Sequence, residues 1–429
     1  MKKVVTRFAP SPTGYLHIGG VRTALFNYVF AKKNKGTFLV RIEDTDKERS
    51  KDEYIDAIMD GLDWIKLNPD QNPIKQSDRF DVYQKEAKRL IEEGKAYEDD
   101  GAIRLKINKE GSILVKDLVY GDIEFPNKEL DDLVILRSDK SPTYHFCNVI
   151  DDNYQEVTHI IRGEDHLPNT PKQIHIVTAL GYKGFDYIHL PLVLGEDRKR
   201  LSKRHAATDL MAYKEAGYLP EALLNMLAKL GWSNTTEDIF TMEKLIEIFA
   251  VEDIQRAGAV FDIERLNFVN QGHIVNKEKS ELLEMIEAFN KINGYTLKDH
   301  HDAHYLLELC KGSGNTLDEI SNFIKPFIVK FDEYNQEDFD KHLSNAKPVI
   351  EYFIKKLEAL DNWNEESIEA IISCAKEDLE LPMPKIGLPL RVALLGRAKS
   401  PQLNATIYLI DKQVVIERLK NSLSAISEC

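Results

Sequence analysis

The sequence contains few cysteines, and this scarcity argues against two kinds of structural support. Its 429 residues include four cysteines, at positions 147, 310, 374 and 429, with no Cys-x-x-Cys pair among them. A disulfide framework needs more numerous cysteines and an oxidising compartment. A structural zinc site needs cysteine or histidine ligands in local pairs. We therefore predict no disulfide, no metal-ligating residues and no structural zinc.

Long apolar runs are also missing. No run approaches the roughly 18–20 apolar residues that span a bilayer. The first residues, Met-Lys-Lys-Val-Val-Thr-Arg, lead directly into a β-prone segment and lack the apolar stretch and small-residue cleavage site of a signal peptide. We predict a cytoplasmic protein with no membrane contact. The sequence shows no repeat or low-complexity tract, and we expect a monomer.

The chain has no excess of positive charge. It carries 57 Lys and Arg against 71 Asp and Glu, a formal net charge of −14. Such a balance usually argues against nucleic-acid binding, unless basic side chains are concentrated on one face. The apolar content of 43% and charged content of 30% are ordinary for globular proteins. Length predicts two to four domains, and composition alone identifies no ligand.

The N-terminal segment has the pattern of a strand, a loop, a helix and a second strand. Val4–Phe8 is β-prone, and prolines and Gly14 then interrupt it. From Gly19 the apolar residues recur with helical spacing, at Val21, Ala24, Leu25, Tyr28 and Val29. Phe38–Ile42 is a second apolar strand. Ligands of such units bind at the carboxyl ends of the strands, where the 9–20 loop and Glu43 would lie.

Two features of this sequence suit phosphate binding. Gly19 and Gly20 open the helix, whose unpaired N–H groups and positive dipole end favour anions, and His17 precedes them. Downstream, Arg198–His205 has six basic residues in eight. It follows the apolar run Ile188–Leu194, which we interpret as another strand end. The alternatives are a proline-rich loop with a buried histidine, and a solvated basic loop or general nucleic-acid patch.

The two features together resemble class I aminoacyl-tRNA synthetases. The resemblance to bacterial glutamyl-tRNA synthetases is close in order and spacing, and it continues through residues 217–223 and 387–391. The segments that carry it are Arg7–Gly20, Arg41–Asp46, Pro142–Asp152, Ile161–Asp165 and Arg200–Arg204. Several motifs in the expected order are far more specific than one motif alone.

The resemblance implies an α/β Rossmann-type class I catalytic domain with an inserted β-rich acceptor-binding subdomain, followed by all-α stem-contact and anticodon-binding domains. The expected boundaries are 1–72 and 141–215 for the two catalytic halves, 73–140 for the insert, 216–300 for the stem-contact region and 301–429 for the anticodon-binding region. Many bacterial relatives carry a cysteine-bearing segment in the insert, which this chain lacks between Glu98 and Ile103.

The implied activity is ATP-dependent ligation of L-glutamate to tRNA through glutamyl-adenylate, with ATP and Mg²⁺ and with release of AMP and diphosphate. His17 and Lys203 are the expected catalytic residues, since they would stabilise developing negative charge. The glutamate site would comprise Arg7, Ala9, Ser11, Glu43, Tyr144, Asn148 and Arg162. The ATP site would comprise His17, Gly19, Gly20, Asp165, Val193, Arg200, Lys203 and Arg204. The alternative is a catalytically silent, synthetase-derived tRNA-binding protein.

The tRNA-binding candidates are Lys311, Arg391 and Arg397, although the arginines could instead pair with local acids. In the resembled family, members restricted to tRNA-Glu typically read the third anticodon base with an arginine. The matching stretch here, Lys311–Thr316, has none. We therefore expect tRNA-Glu, tRNA-Gln or both as substrates, with an amidotransferase as partner if tRNA-Gln is charged.

Several other segments carry local structural predictions. Thr170 is the expected cap of a helix that has Pro171 at its first position. For Asp44 and Asp46, the alternative to a role in the site is an acidic loop that caps the next helix. Strands are expected within residues 102–136, and from Pro220 the chain should be mainly helical.

Overall fold

The computed structural model describes residues 3–199 and 209–428. The chain forms two compact units, Met1–Val269 and Asn270–Cys429. The expected boundary at 300/301 lies inside the second unit, and the five-segment division stays a prediction. Arg200, Lys203 and Arg204 lie outside the described residues.

The N-terminal strand–helix–strand unit is confirmed. Strand β1 (Val5–Phe8) and strand β2 (Thr37–Ile42) are adjacent and parallel, joined by helix α1 (Ile18–Lys33). Strand β3 (Ile74–Lys75) extends this sheet in parallel beside β2. The predicted apolar face of α1 is buried against the sheet together with helix α2 (Asp52–Trp64). This burial fixes the loop before α1 at the carboxyl end of β1.

The predicted β-rich insert is divided between two sheets. After helix α3 (Phe80–Glu92), strands β4 (Ala96–Asp99), β5 (Ala102–Leu105) and β8 (Leu133–Leu136) form one antiparallel sheet. Between them, strands β6 (Ser112–Asp117) and β7 (Gly121–Pro126) form a hairpin. Its turn requires a positive φ of 81° at Gly121, which glycine adopts without strain.

The second catalytic half contains helix α4 (Tyr144–Tyr154), strand β9 (His159–Gly163), helix α5 (Thr170–Leu180) and strand β10 (Asp186–Leu190). Its sheet has the order β7-β6-β10-β9, so the hairpin of the insert joins the catalytic sheet. The amide of Thr158, just before β9, donates to the carbonyl of Val5 at 2.9 Å. This bond links the second half to β1.

The apolar run Ile188–Leu194 contains a strand end, as predicted, and also a second short strand. The run divides into β10 and strand β11 (Val193–Leu194), which pairs in parallel with strand β12 (Ala259–Val260) instead. Pro191 separates the two because it has no backbone N–H to give to a sheet. Residues 191–193 therefore follow the carboxyl end of β10, and Val193 pairs with β12.

The rest of the described chain is mainly helical, as predicted. In the first unit lie α6 (Leu210–Glu215), α7 (Pro220–Lys229) and α8 (Met242–Ile248). Helix α9 (Ile263–Asn276) follows. The second unit contains α10 (Lys279–Ile292), α11 (Ala303–Cys310), α12 (Leu317–Ile328), α13 (Gln336–Asp338), α14 (Lys347–Glu358), α15 (Glu365–Asp378), α16 (Met383–Leu395), α17 (Leu403–Tyr408) and α18 (Lys412–Glu428). None of the helices within residues 3–199 and 209–428 is long and apolar enough to cross a membrane.

Candidate active site

A cavity of about 860 Å³ opens at the carboxyl ends of β1, β2, β9 and β10. Its wall contains every described residue that the sequence assigned to glutamate or ATP. These are Arg7, Ala9, Ser11, His17, Gly19, Gly20, Glu43, Tyr144, Asn148, Arg162, Asp165 and Val193. The two halves of the catalytic domain therefore contribute to one site.

A buried ion cluster forms the floor of this site. Asp152 on α4 accepts from Arg7 Nε at 2.9 Å and from Arg41 Nη1 at 2.6 Å. Arg41 Nη2 donates to Asn148 Oδ1 at 2.6 Å and to Glu43 Oε1 at 3.1 Å. Arg41 was not among the predicted site residues. Its signal was an arginine inside an apolar strand, which indicates a charge that must be paired in the core.

The cluster sets the ionisation of its carboxyl groups. Burial raises the pKa of Glu43 although Arg41 and Arg7 oppose the change. Burial would also raise the pKa of Asp152, but the same two guanidinium groups outweigh it and hold that pKa below its ordinary value. Asp152 therefore remains an anion that fixes Arg7 and Arg41. Glu43 is the carboxyl group whose ionised form would gain most from a further cation in the cavity.

Arg162, at the end of β9, has two neutral partners. Its Nη2 donates to Thr170 Oγ1 at 2.8 Å and its Nε donates to His189 Nε2 at 3.1 Å. Its Nη1 is buried without a hydrogen-bond partner among the described residues, as is Asn148 Nδ2. Unpartnered buried donors of this kind suit an anionic ligand such as a carboxylate.

The prediction for Thr170 is corrected by this contact. The cap of α5 is Asn169, without a side-chain cap bond, and Thr170 is the first residue of the helix. Its hydroxyl is used by Arg162 instead. Gly181 ends the helix with a φ of 72°, as expected for a left-handed glycine.

Tyr144 and Asn148 lie one helical turn apart on α4 and both face the cavity, as predicted. Burial, reinforced by Glu43, raises the pKa of Tyr144 to about 12, so the hydroxyl keeps its proton. It lies 3.3 Å from His166 Nδ1. Burial, reinforced by Arg162, lowers the pKa of His166 to about 4. His166 is thus a neutral neighbour of the site at pH 7.

His17 begins α1 and turns back over its first turn. Its Nδ1 accepts from the amide of Gly20 at 3.1 Å, so the ring proton of the neutral imidazole lies on Nε2. A Cβ on Gly19 would come within 3.1 Å of His17 Nδ1. The Gly-Gly pair therefore leaves room for the imidazole at the helix start. The ring can present an N–H donor together with the helix amides.

Residues 3–199 and 209–428 contain no group of three His, Cys, Asp or Glu side chains able to hold a metal ion. The absence of structural zinc stays a prediction. Asp44 accepts from the amide and hydroxyl of Ser77 at 2.8 and 2.6 Å. Asp44 therefore binds the first turn of the short 3₁₀ helix Gln76–Arg79 and does not cap α2, the next helix along the chain. Asp46 pairs with Arg49 instead.

The three tRNA-binding candidates lie in the second unit and have local partners. Lys311 pairs with Glu308 at 2.9 Å. Arg391 donates to Ser400 Oγ at 2.9 Å, and Arg397 stacks over the Phe323 ring at 4.0 Å and donates to the carbonyl of Phe323. The partners of the arginines among the described residues are thus hydroxyl and carbonyl groups rather than acids. Their tRNA-binding role stays a prediction.

Comparisons with known proteins agree with this architecture. A family model described as tRNA synthetases class I (E and Q), catalytic domain, matches residues 3–102 and 98–268. A model described as anticodon binding domain matches residues 281–423. These matches confirm the predicted order of a class I catalytic domain and a helical anticodon-binding region.

Full-length relatives give a narrower assignment. A curated glutamate–tRNA ligase from Thermodesulfovibrio yellowstonii is 39% identical, over 98% of this chain and 100% of that relative. The crystal structure of a glutamate tRNA ligase from Elizabethkingia meningosepticum, in complex with its amino acid, has a TM-score of 0.88. That of glutamate-tRNA synthetase from Elizabethkingia anophelis has a TM-score of 0.84. Both are 29% identical and cover 99% of this chain and 100% of theirs.

These findings favour the predicted ligase over the silent alternative. Two family models account for both units, and the curated relative is similar along its whole length. The chain belongs to the glutamate–tRNA ligases, class I synthetases that join glutamate to tRNA with ATP.

Proposed function

We propose that this ligase binds glutamate between Glu43, Asn148 and Arg162, binds ATP at the start of α1, and joins the two as glutamyl-adenylate. One observation carries the proposal. Arg162 Nη1 and Asn148 Nδ2, buried donors with no hydrogen-bond partner in the part of the chain that the structure describes, line the same cavity as the Glu43 carboxylate and the α1 N-terminus. Free glutamate carries two carboxylates and one ammonium, which match these donors and this acceptor.

The proposed glutamate site assigns each charge of the substrate to a group of opposite character. Arg162 and Arg7 bind the acidic groups, since arginine forms paired hydrogen bonds with carboxylates. Glu43 takes the ammonium. Tyr144 donates its hydroxyl proton. Ala9 and Ser11, in the loop after β1, border the carboxylate that reacts.

The chemical step is an in-line displacement at the α-phosphorus of ATP. A glutamate carboxylate oxygen forms a bond to phosphorus, and the bond to the bridging oxygen breaks as diphosphate leaves. The protein supplies no nucleophile, so its task is to position the groups and stabilise charge. We assign this stabilisation to His17 Nε2–H, the amides at Gly19 and Gly20, and Lys203.

The remaining ATP contacts are assigned from the positions of residues on the cavity wall and in the basic loop. Asp165 and Val193 lie on the cavity wall and are proposed to contact the ribose and the adenine side. Arg200 and Arg204, with Lys203, are proposed to reach the phosphates from the basic loop. Mg²⁺ would enter with the triphosphate and supply further charge neutralisation.

Replacing Lys203 tests the proposed catalytic pair. Lys203→Ala should slow adenylate formation by about 10²–10³-fold because a charge-assisted contact of the transition state is lost. The measurement is ATP–diphosphate exchange with glutamate, in the presence of tRNA. Lys199→Ala, which removes an exposed lysine near the same loop, is the matched control and should retain the rate. Exchange by Lys203→Ala at the control rate would contradict the assignment.

For the tRNA substrate, we propose tRNA-Glu with relaxed specificity that includes tRNA-Gln. The loop between α11 and α12 contains no arginine to read the third anticodon base, and Lys311 is held by Glu308 and by the carbonyl of Val275 at 3.0 Å. A chain that charges tRNA-Gln with glutamate requires a partner amidotransferase to complete the product. We further propose that the enzyme acts as a monomer in the cytoplasm, where this reaction serves translation.

A further inference from the structure

Three neighbouring parallel strands end on one buried chain of hydrogen bonds that leads to Arg162. Asp117 closes β6, His189 lies one residue before the end of β10, and Arg162 faces His189 in the register of β9. The three residues are 4%, 0% and 6% exposed. This series of hydrogen bonds therefore runs from the middle of the catalytic sheet to the cavity wall.

The hydrogen bonds fix the protonation of His189. The Nε of an arginine always carries hydrogen, so His189 Nε2 must accept from Arg162 Nε at 3.1 Å. The ring proton then lies on Nδ1, which donates to Asp117 Oδ2 at 2.6 Å. Asp117 is itself held by the amides of Val119 and Tyr120, at 2.9 and 2.8 Å. Burial lowers the pKa of His189, although Asp117 opposes this, in agreement with a neutral ring.

Arg162 differs in its partners from the two arginines of the buried ion cluster, Arg7 and Arg41. Arg7 and Arg41 each pair directly with the Asp152 carboxylate. The partners of Arg162 within the described part of the chain are the His189 ring and the Thr170 hydroxyl, both neutral. Asp117 is one imidazole further away. Arg162 thus has a fixed orientation while its positive charge is not paired by a carboxylate in contact with it.

We propose that His189 is a positioning residue for substrate selection. As a neutral acceptor it orients Arg162 toward the substrate carboxylate without cancelling the arginine charge. This arrangement selects a carboxylate over the carboxamide of glutamine, because the carboxamide has no charge and would place its own N–H groups against a donor. The inference rests on the proposed role of Arg162 in binding glutamate.

Two substitutions of His189 separate positioning from packing. His189→Asn keeps a polar group near Asp117 but is too short to accept from Arg162, whereas His189→Gln reaches both partners. The Asn variant should raise the glutamate KM in ATP–diphosphate exchange by about 10–100-fold, the range for a hydrogen bond to a charged group. Its ATP KM should stay unchanged, and its preference for glutamate over glutamine should fall. The Gln variant should have a glutamate KM close to that of the wild type and should recover most of the preference for glutamate over glutamine.

His159→Asn is the matched control. This partly buried histidine lies on β9 at the opposite end from the cavity, so its glutamate KM should stay within about twofold of the wild type. The inference is overturned if Asn and Gln at position 189 behave alike, or if glutamate and ATP KM rise together. A thermal unfolding curve for each variant shows whether a loss reflects unfolding, and equal curves with unequal glutamate KM support positioning.

Arg162→Gln distinguishes failure of this inference from failure of the proposed glutamate site. If Arg162→Gln leaves the glutamate KM unchanged, the role of Arg162 is wrong and the inference is overturned with it. If Arg162→Gln raises the glutamate KM while His189→Asn does not, Arg162 binds glutamate without help from His189 and only this inference fails.

Discussion

Gly19 is the residue whose missing side chain matters most for the imidazole at the start of α1. A Cβ there would meet His17 Nδ1 at 3.1 Å and Cε1 at 3.2 Å, so the ring would have to move by a few tenths of an ångström. Gly19→Ala should therefore slow adenylate formation by about tenfold or more, since misplacement of a catalytic group is costly. Stability should not fall, because alanine favours a helix over glycine.

Single-turnover adenylation and thermal unfolding measure these two effects of Gly19→Ala. Gly184→Ala is the control, because a Cβ at Gly184 meets nothing within 4 Å. A Gly19→Ala enzyme with the wild-type adenylation rate would show that His17 tolerates the displacement, or that the imidazole takes no part in the step.

Glu43 belongs to the ion cluster and is proposed to bind the substrate ammonium. Glu43→Gln should raise the glutamate KM by about 10–100-fold and leave ATP binding nearly intact, because a charged hydrogen bond becomes a neutral one. The pKa of Glu43 is raised above its ordinary 4.5 by burial, so its ionised form is lost as pH falls through that higher value. The wild-type glutamate KM should accordingly rise toward pH 5.

Glutamate KM values from pH 7 to pH 5 test this assignment for the wild type and Glu43→Gln. The variant should show a flatter pH profile, since the group that titrates is gone. Parallel profiles in the two proteins, or an unchanged glutamate KM in the variant, would make Glu43 a structural partner of Arg41 alone.

At the residue scale, the sequence indicated the groups at strand ends and missed those that orient them. Glu43 and Arg162 follow apolar runs of the sequence, so their place at the sheet edge is predictable from spacing. Arg41 and His189 lie inside apolar runs, where the pattern predicts only burial. Their roles depend on partners up to 111 residues away in the chain, such as Asp152 for Arg41. No local pattern contains that pairing.

At the element scale, Asp152 joins α4 to both N-terminal strands. It pairs with Arg7 on β1 and Arg41 on β2, and all three side chains are buried. Asp152→Asn should lower the free energy of unfolding by about 3 kcal/mol at pH 7, because removal of one partner leaves buried charges uncompensated. Asp60→Asn, at an exposed position on α2, should change it by less than about 0.5 kcal/mol.

The pH dependence gives Asp152→Asn a second test. The pKa of Asp152 is lowered from its ordinary 3.8, so its stabilising contribution is complete above that value and is lost as pH falls through the lower, folded-state pKa. Urea denaturation should show a constant gap between wild type and variant from pH 7 to pH 5, which narrows only below about pH 4. A gap that already closes between pH 7 and pH 5 would contradict this ionisation.

Helices and strands were predictable from the sequence where the apolar periodicity was strong. Which strands pair with each other was not predictable. The helical spacing on α1 and the short β-prone and apolar runs of β1 and β2 identified the N-terminal unit. Ile188–Leu194 was equally apolar, yet Pro191 transfers its second half to another sheet. The hairpin β6–β7 likewise joins β10 rather than the rest of the insert. Strand partners are tertiary choices, which a single sequence pattern does not contain.

At the scale of the whole molecule, the order of motifs predicted more than composition did. A net charge of −14 gave no indication of RNA, whereas the glycines in the first turn of α1, the strand-end acids and the basic loop together indicated a synthetase. The catalytic and anticodon-binding family matches follow the same order along the chain. The proposed relaxed specificity between two tRNAs rests on a few side chains in the second unit, and it is open to direct measurement.

The final prediction is that the enzyme discriminates weakly between tRNA-Glu and tRNA-Gln. The loop between α11 and α12 offers Lys311 in place of an arginine, and this lysine is occupied by Glu308 and the Val275 carbonyl. Loss of one paired arginine–base contact relaxes discrimination by roughly 1–3 kcal/mol. Because Lys311 lacks the paired donors that make a base contact selective, Lys311→Ala should change kcat/KM for both tRNAs equally. Kinetics with both tRNAs at equal salt decide the matter, and a preference for tRNA-Glu above about a thousandfold, or ~4 kcal/mol, would refute relaxed specificity.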